Sequence, residues 1–330
     1  MGVMVDGHWT TDEEASKHKH EDGRWIRPPS SIRNWVTRDG SAGPSGDPGF
    51  PAEPGRYHLF VAYNCPWAHR TLIFRALKGL QDAISVSVVL PRRTEDGWVF
   101  SDQPGMHFDY CLAAHALWEV YAKAHPGYTG TVTVPLLYDR QTGRGVSNES
   151  SEIIRMLNSA FNAVGANDLD FYPPELRGEI DALNTRIYDG LNNGVYRAGF
   201  AKTQEAYEEG FDDVFATLDY LDERLSDRRF LCGDRQTEAD WRLFPTLARF
   251  DVAYHYAFKC NLRKISDYAN LGPYTRDLYQ TPGIAGTVFP EIYKTGYFSP
   301  SELRNPLGIV PKGPVIDFTS AHDRARLNSA

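Results

Sequence analysis

Cysteine is scarce in this chain: four in 330 residues, at Cys65, Cys111, Cys232 and Cys260. Spacing so wide and unpatterned excludes a disulfide-stapled scaffold and points to reduced thiols and a cytoplasmic setting. Metal-ligand spacing is missing as well, and His18 and His20 stand in a polar, charged stretch that reads as a solvated tail. Basic residues are the minority, 35 against 43 acidic, for a formal charge of −8. That balance argues against nucleic acid and anionic membrane surfaces as partners. No run of about 18 apolar residues occurs, so no segment is expected to span a bilayer. The start, MGVMVDGHWTTDEEASKHKH, lacks the apolar core of a secretory signal. What remains is an ordinary globular composition, 42% hydrophobic and 24% charged, long enough for two domains with full cores.

A further absence is local. Tyr57 to Tyr63 is a short, β-rich apolar run that stops at Asn64, and Cys65-Pro66 follows. From there Trp67, Leu72, Ile73, Ala76, Leu77 and Leu80 recur at helical spacing. Proline suits a first helical turn, where its missing N–H would have had no partner. Cys65 therefore sits at a strand-to-helix handover, beside the positive end of a helix dipole, a place that favours thiolate chemistry. Ala68 stands where a Cys-x-x-Cys motif would carry its second cysteine. A mixed disulfide on Cys65 then has no neighbour in sequence to resolve it, so an outside thiol is required, and glutathione is the abundant cytosolic one. The competing reading is a buried structural cysteine that happens to precede a proline.

Residues 1–55, rich in glycine, proline, serine and charge, read as an extended arm draped on a domain, with Trp9, Trp25 and Trp35 as anchors. Residues 56–160 alternate strand and helix. After the Cys65 helix come a strand at ISVSVV (84–89), a helix from Tyr110 to Ala124, a strand at TVTVPLLYD (131–139), and its hairpin partner GRGVSN (143–148). A helix then opens at Asn148-Glu149-Ser150. The order β-α-β-α-β-β-α fits a thioredoxin-like α/β domain. Residues 161–174 read as a linker, and residues 175–316 keep a helical period, predicting an all-α domain. Stripes Leu176/Ile180/Leu183/Ile187/Leu191 and Tyr207/Phe211/Val214/Leu218/Leu221/Leu225 are its core faces, and Thr237-Glu238-Ala239-Asp240 is a capping box. Residues 317–330 are a tail.

Three further spots carry candidate chemistry, each beside a structural reading. Val134-Pro135 is either a cis bond presenting the Val134 backbone to the Cys65 thiol, or an ordinary trans proline at a strand entry. Glu149 and Ser150, at a helix start that favours anions, suit the ammonium and carboxylate of an amino-acid zwitterion, or simply cap the helix. The glycine-rich LNNGVYRAGF (191–200) puts Tyr196 on a break between helices, pointing into a cleft or packed in the core.

Ten segments carry a resemblance to a known family: RNWVTRDGSAGPSG (33–46), NCPWAHRTLI (64–73), EDGWVFSD (95–102), TVTVPLLYD (131–139), NESSEIIRMLN (148–158), NNGVYRAGFAKTQEAYE (192–208), TEADWRLFPTLARFD (237–251), FKCN (258–261), YTRDLYQTPGI (274–284) and NPLGIVPKGP (305–314). Together they resemble the glutathionyl-hydroquinone reductases, the Xi class of the glutathione transferase superfamily. The resemblance implies the glutathione transferase fold, a thioredoxin-like N-terminal domain plus an all-α C-terminal domain. It implies a glutathione co-substrate, no metal, and a homodimer contacting through the helical domain. It implies that glutathione and a glutathionyl-hydroquinone enter a cleft between the domains. Cys65 takes glutathione from the conjugate as a mixed disulfide, and a second glutathione releases it. By the same carry-over Trp98, Val134, Glu149 and Ser150 hold glutathione. Tyr196, Tyr254 and Tyr297 line the aromatic site, with Tyr196 or Tyr297 assisting the departing ring. Two departures stand out. The arginine that in the family precedes the VTVP segment and contacts glutathione is Thr131 here, and the family's His-Tyr-Tyr run reads Gly296-Tyr297-Phe298. Two rivals share the cysteine: an omega-like thiol transferase or dehydroascorbate reductase, and a non-catalytic ligand-binding protein. Conventional conjugation to electrophiles fits least, because it wants a serine or tyrosine hydroxyl where Cys65 stands.

Overall fold

The structure is a computed structural model and describes residues 2–12, 20–102 and 108–328; His18 lies outside them. The chain divides into two compact units, Met1–Lys17 with Pro28–Leu169, and His18–Arg27 with Asp170–Ala330. The first 55 residues are thus shared between the units.

The first unit is built on a four-stranded sheet. Strand β1 (Tyr57–Val61) is buried at every position, which is why its sequence is mostly apolar rather than alternating, with His58 as the polar exception. Helix α1 (Pro66–Leu77) leads to β2 (Ile84–Val88), which pairs parallel to β1 from Tyr57↔Ile84 to Val61↔Val88. Helix α2 (Leu117–Ala124) precedes a hairpin of β3 (Leu136–Asp139) and β4 (Arg144–Ser147). β3 runs antiparallel to β1, giving the order β4-β3-β1-β2. Helix α3 (Ser150–Ser159) closes the unit against α1. This is the thioredoxin-like arrangement. Arm residues cover the outer edge of β4, with Asn34 N–H donating to Val146 O at 2.8 Å and Asn148 N–H to Ile32 O at 3.0 Å.

Two elements are shorter than their sequence patterns predict. The helix expected over 110–124 begins at Leu117. The buried Asp109 carboxylate takes the N–H groups of Cys111 at 2.8 Å and Ala114 at 2.9 Å, organising a turn in place of the first helical turns. Asp109 itself accepts from Ser87 Oγ at 3.1 Å, and Ser87 Oγ also lies 2.8 Å from His58 Nε2. The strand expected over 131–139 begins at Leu136, directly after the cis Val134–Pro135 bond. Past α3 the chain stays tied to the first unit. Asn167 donates from its side chain to Leu77 O at 2.7 Å and from its backbone to Lys78 O at 3.1 Å, satisfying carbonyls at the end of α1.

The second unit is helical: α4 (Arg177–Ile187), α5 (Gly194–Phe200), α6 (Gln204–Arg224), α7 (Glu238–Arg249), α8 (Leu271–Tyr279) and α9 (Pro290–Tyr297). Ile180, Leu183, Ile187, Val214, Leu218 and Leu221 are buried, each adding ~1.5–3 kcal/mol relative to an exposed side chain. The capping box forms, with Thr237 N–H donating to Asp240 Oδ2 at 2.7 Å. Tyr196 lies inside α5, not on a break. The interruption comes earlier, as a π turn at Tyr188–Asn192 that absorbs an extra residue without ending the helical path. The glycines here serve close packing: a Cβ on Gly210 of α6 would meet Ala198 N of α5 at 2.6 Å. A second π turn, Phe250–Tyr254, continues α7.

Candidate active site

Cys65 is the N-cap of α1, in extended conformation (φ −81°, ψ 121°), with Pro66 as the first helical residue. Its carbonyl accepts the His69 N–H at 3.0 Å, the first bond of the helical ladder. The half-buried thiol donates to Val134 O at 3.5 Å, so the cis-proline segment does face the sulfur. No acidic side chain stands in the first turn of α1 to offset the helix dipole. The other thiols sit in different surroundings. Burial pushes Cys111 up, Cys232 to about 11 and Cys260 to about 12.

Glu149 is the N-cap of α3, accepting from Ser151 N–H at 3.0 Å, Ser151 Oγ at 2.8 Å and Ser30 Oγ at 2.9 Å. Burial raises its carboxyl, but these donors and the Arg70 charge outweigh it and hold Glu149 below the usual carboxylate range. Ser150, buried at the first helical position, accepts from Arg70 Nη1 at 3.4 Å. Arg70 is 2% exposed and lies over the Trp67 ring, 4.6 Å from its centroid. The capping reading of Glu149 therefore holds in geometry, and beside it stand a hydroxyl and a buried guanidinium suited to a carboxylate.

Trp98 stands on the segment between β2 and α2, its carbonyl accepting the Leu117 N–H at 2.8 Å. It is 6% exposed, and among the described residues its indole N–H has no acceptor. Trp118, whose indole N–H is likewise without an acceptor there, lines the same small cleft with Trp9 and Thr131. The Arg93 guanidinium lies 4.3 Å from the Trp98 ring centroid and lines this cleft too. A cation thus stands near the position where Thr131 brings none. Arg70, Arg93 and Ser30 have no sign in the sequence: each is an ordinary surface residue type, and Arg70 and Ser30 meet Ser150 and Glu149 across 80 and 119 positions, while Arg93 shares its cleft with Trp9 and Thr131.

In the second unit the three tyrosines meet. Tyr196 and Tyr297 share a hydrogen bond of 2.7 Å between hydroxyls, and Tyr297 and Tyr254 one of 3.0 Å. Tyr254, at the end of the second π turn, is 0% exposed and backs the other two, which are half-buried. Burial pushes the ionisation of Tyr254 and Tyr297 well above the ordinary 10, so both remain proton-bearing donors at neutral pH. Phe200 and Phe258 complete the aromatic wall, stacking on Tyr196 at 6.0 Å and Tyr254 at 5.4 Å. Among the described residues no cluster of three or more His, Cys, Asp or Glu side chains is placed to hold a metal, and no helix is long and apolar enough to cross a membrane.

Residues 64–160 match the family model described as glutathione S-transferase, N-terminal domain, and residues 204–277 the glutathione S-transferase, C-terminal domain. The chain is 49% identical over 325 residues to "Glutathionyl-hydroquinone reductase YqjG" of Escherichia coli, covering 98% of each. It is 50% identical over 314 residues to "Glutathionyl-hydroquinone reductase PcpF" of Sphingobium chlorophenolicum, covering 95% of this chain and 96% of that one. Among solved structures, "Xi Class GST from Natrialba magadii" superposes with a TM-score of 0.90 at 45% identity, covering 99% and 98% of the two chains. The glutathione-bound structure of YqjG superposes at 0.87, with 51% identity over 89% of this chain and 96% of that one.

Proposed function

The chain belongs to the glutathionyl-hydroquinone reductases, the Xi class of the glutathione transferase superfamily, and from that membership we propose that it strips glutathione from glutathionyl-hydroquinones through Cys65. The Cys65 thiolate attacks the sulfur of the conjugate. A sulfur–sulfur bond forms, the carbon–sulfur bond breaks, and its electron pair passes to the ring carbon, which takes up a proton to give the hydroquinone. A second glutathione attacks the mixed disulfide, leaving as glutathione disulfide and regenerating the thiolate. The observation that carries this reading is a half-buried cysteine at a helix start, with Ala68 where a resolving cysteine would stand.

Glutathione is a zwitterion with a second carboxylate at its glycyl end, and the first unit offers a partner for each charge. Glu149 takes the ammonium, and Ser150 with Arg70 takes the neighbouring carboxylate. The Val134 backbone takes the cysteinyl portion. Trp98 and Arg93 suit the glycyl carboxylate. In the second unit Tyr196 and Tyr297, backed by Tyr254, receive the aromatic ring, and a phenol of this cluster protonates it. Assembly as a homodimer in the cytoplasm belongs to the same reading and is checked by light scattering and fractionation.

The test is a substrate panel with intact-mass readout. Glutathionyl-menadiol and glutathionyl-benzohydroquinone are expected to turn over well above dehydroascorbate or a simple disulfide. Protein exposed to conjugate alone is expected to gain one glutathione, on Cys65 and on none of Cys111, Cys232 or Cys260. The reverse substrate ranking would favour the omega-like thiol transferase.

A further inference from the structure

Arg27 belongs to the stretch of arm that joins the second unit, and no motif marks it. Its guanidinium nonetheless lies between two rings, 4.7 Å from the Trp25 centroid and 4.8 Å from that of Tyr196. Its Nε donates to Asn193 Oδ1 at 2.7 Å. Asn193 in turn accepts the Tyr196 N–H on its carbonyl at 3.0 Å, so one residue holds both the arginine and the backbone of the tyrosine. Trp25 is buried and stacks on Phe200 at 5.5 Å, which stacks on Tyr196. The guanidinium is thus held between two rings and by Asn193, groups that also frame the phenol.

The three linked phenols are not equivalent. Tyr254 is fully buried, and burial makes Tyr254 and Tyr297 reluctant to give up a proton. Of the three, Tyr196 is the one with a guanidinium stacked on its ring. A phenol that donates a proton becomes an anion, and a cation fixed on its face together with the Tyr297 hydroxyl 2.7 Å away, free to turn its O–H toward that oxygen, favours the anion.

We propose that Tyr196 delivers the proton to the departing ring, and that Arg27 is a positioning residue which clamps the Tyr196 ring and balances the charge left on its oxygen. The proton moves from the Tyr196 oxygen to the ring carbon that received the carbon–sulfur pair. The phenolate so formed regains a proton from water before the next turnover. This inference rests on the reductase function proposed above and adds to it the contribution of the arm.

The experiment compares two substrates in the full-length protein: a glutathionyl-hydroquinone, whose ring needs a proton on carbon, and the mixed disulfide of glutathione with 2-mercaptoethanol, whose leaving thiolate does not. Arg27→Met keeps bulk and removes charge. It is expected to lower kcat on the conjugate ~10–100-fold with KM within ~3-fold, while turnover of the disulfide stays within ~2-fold. Arg27→Lys restores part of the loss, and Arg27→Met adds nothing further in a Tyr196→Phe background. Equal loss on both substrates, unchanged kcat on the conjugate, or full additivity with Tyr196→Phe overturns the role of Arg27. Should Arg27→Met not fold, Arg27→Lys alone carries the test, with ~3–10-fold loss confined to the conjugate expected and its absence counting against the proposal. A wild-type protein that turns over neither substrate overturns the reductase reading itself.

Discussion

The sulfur centre of the first unit and the phenol centre of the second are assembled in opposite ways. Cys65 depends on its immediate neighbours: a strand ends, a proline begins a helix, and the thiol is left at the cap. Glu149 and Ser150 repeat the device at α3. The tyrosines owe nothing to sequence neighbours. Tyr196 and Tyr297 are 101 positions apart, Tyr254 and Tyr297 43, and three separate helical segments bring their hydroxyls together. A site at a helix terminus can be read locally, because backbone N–H groups and the dipole are present wherever a helix starts. A site made by helix packing has no such local sign.

Cys65→Ser carries the largest expected effect. Steady-state assays are expected to find reductase activity lowered at least ~10³-fold, since no nearby thiol substitutes. Calorimetric Tm is expected to change little, because the half-buried thiol's hydrogen bond to Val134 O is long, at 3.5 Å, and serine keeps a donor there. Activity near wild type would remove the sulfur centre from the mechanism.

The phenol centre should respond in a graded manner. Tyr297→Phe deletes the hydroxyl that bridges the other two, and a kcat lower by ~10–100-fold is expected. Tyr254→Phe, behind it, should lose ~10-fold or less and instead cost ~1–3 kcal/mol of stability by denaturant titration. If Tyr254→Phe proved the more damaging to kcat, the order of the two layers would be wrong.

Arg93 offers a smaller effect that tests a tertiary contact inside the locally readable unit. Arg93→Met is expected to raise KM for glutathione ~10-fold, in line with ~1.5–3 kcal/mol for a charge-assisted hydrogen bond. KM for γ-glutamylcysteine, which lacks the glycyl carboxylate, should not move. Equal effects on both thiols would take Arg93 out of the glycyl subsite.

The mildest effect concerns pH and stability rather than turnover. His58 is buried with both ring nitrogens on serine hydroxyls, and burial lowers its pKa from 6.5 to about 4. Between those values the unfolded chain binds the proton and the folded chain does not. Stability should therefore be lost as pH falls from about 6.5 to about 4, by roughly 3 kcal/mol from this group. Urea titrations across that range should show the slope in wild type and its reduction in His58→Phe.

Legibility followed the same divide. The Cys65 handover, the Glu149 cap, the Thr237–Asp240 box and the helical stripes were all readable, each resting on contacts within a few residues. The helix expected from Tyr110 was not, because a carboxylate two strands' worth of sequence away from its hydroxyl partner had claimed its first N–H groups. The sequence puts Tyr196 on a break, because Gly194 and Gly199, where an added Cβ would meet Val214 at 3.1 Å and Phe258 at 2.2 Å, look like glycines that end a helix. Arg27, Arg70 and Arg93 could not be distinguished from solvated arginines.

Neighbouring residues carry the order of helices and strands, the thiol at a helix cap and the family of the chain, because periodicity, capping and motif order are local properties; the starts of α2 and β3 are not among them. Tertiary structure alone decided which phenols share a hydrogen bond, which guanidinium lies on which ring, and which carboxylate is held ionised. Those depend on distances of 3–5 Å between segments a hundred residues apart, set by packing that no local pattern encodes.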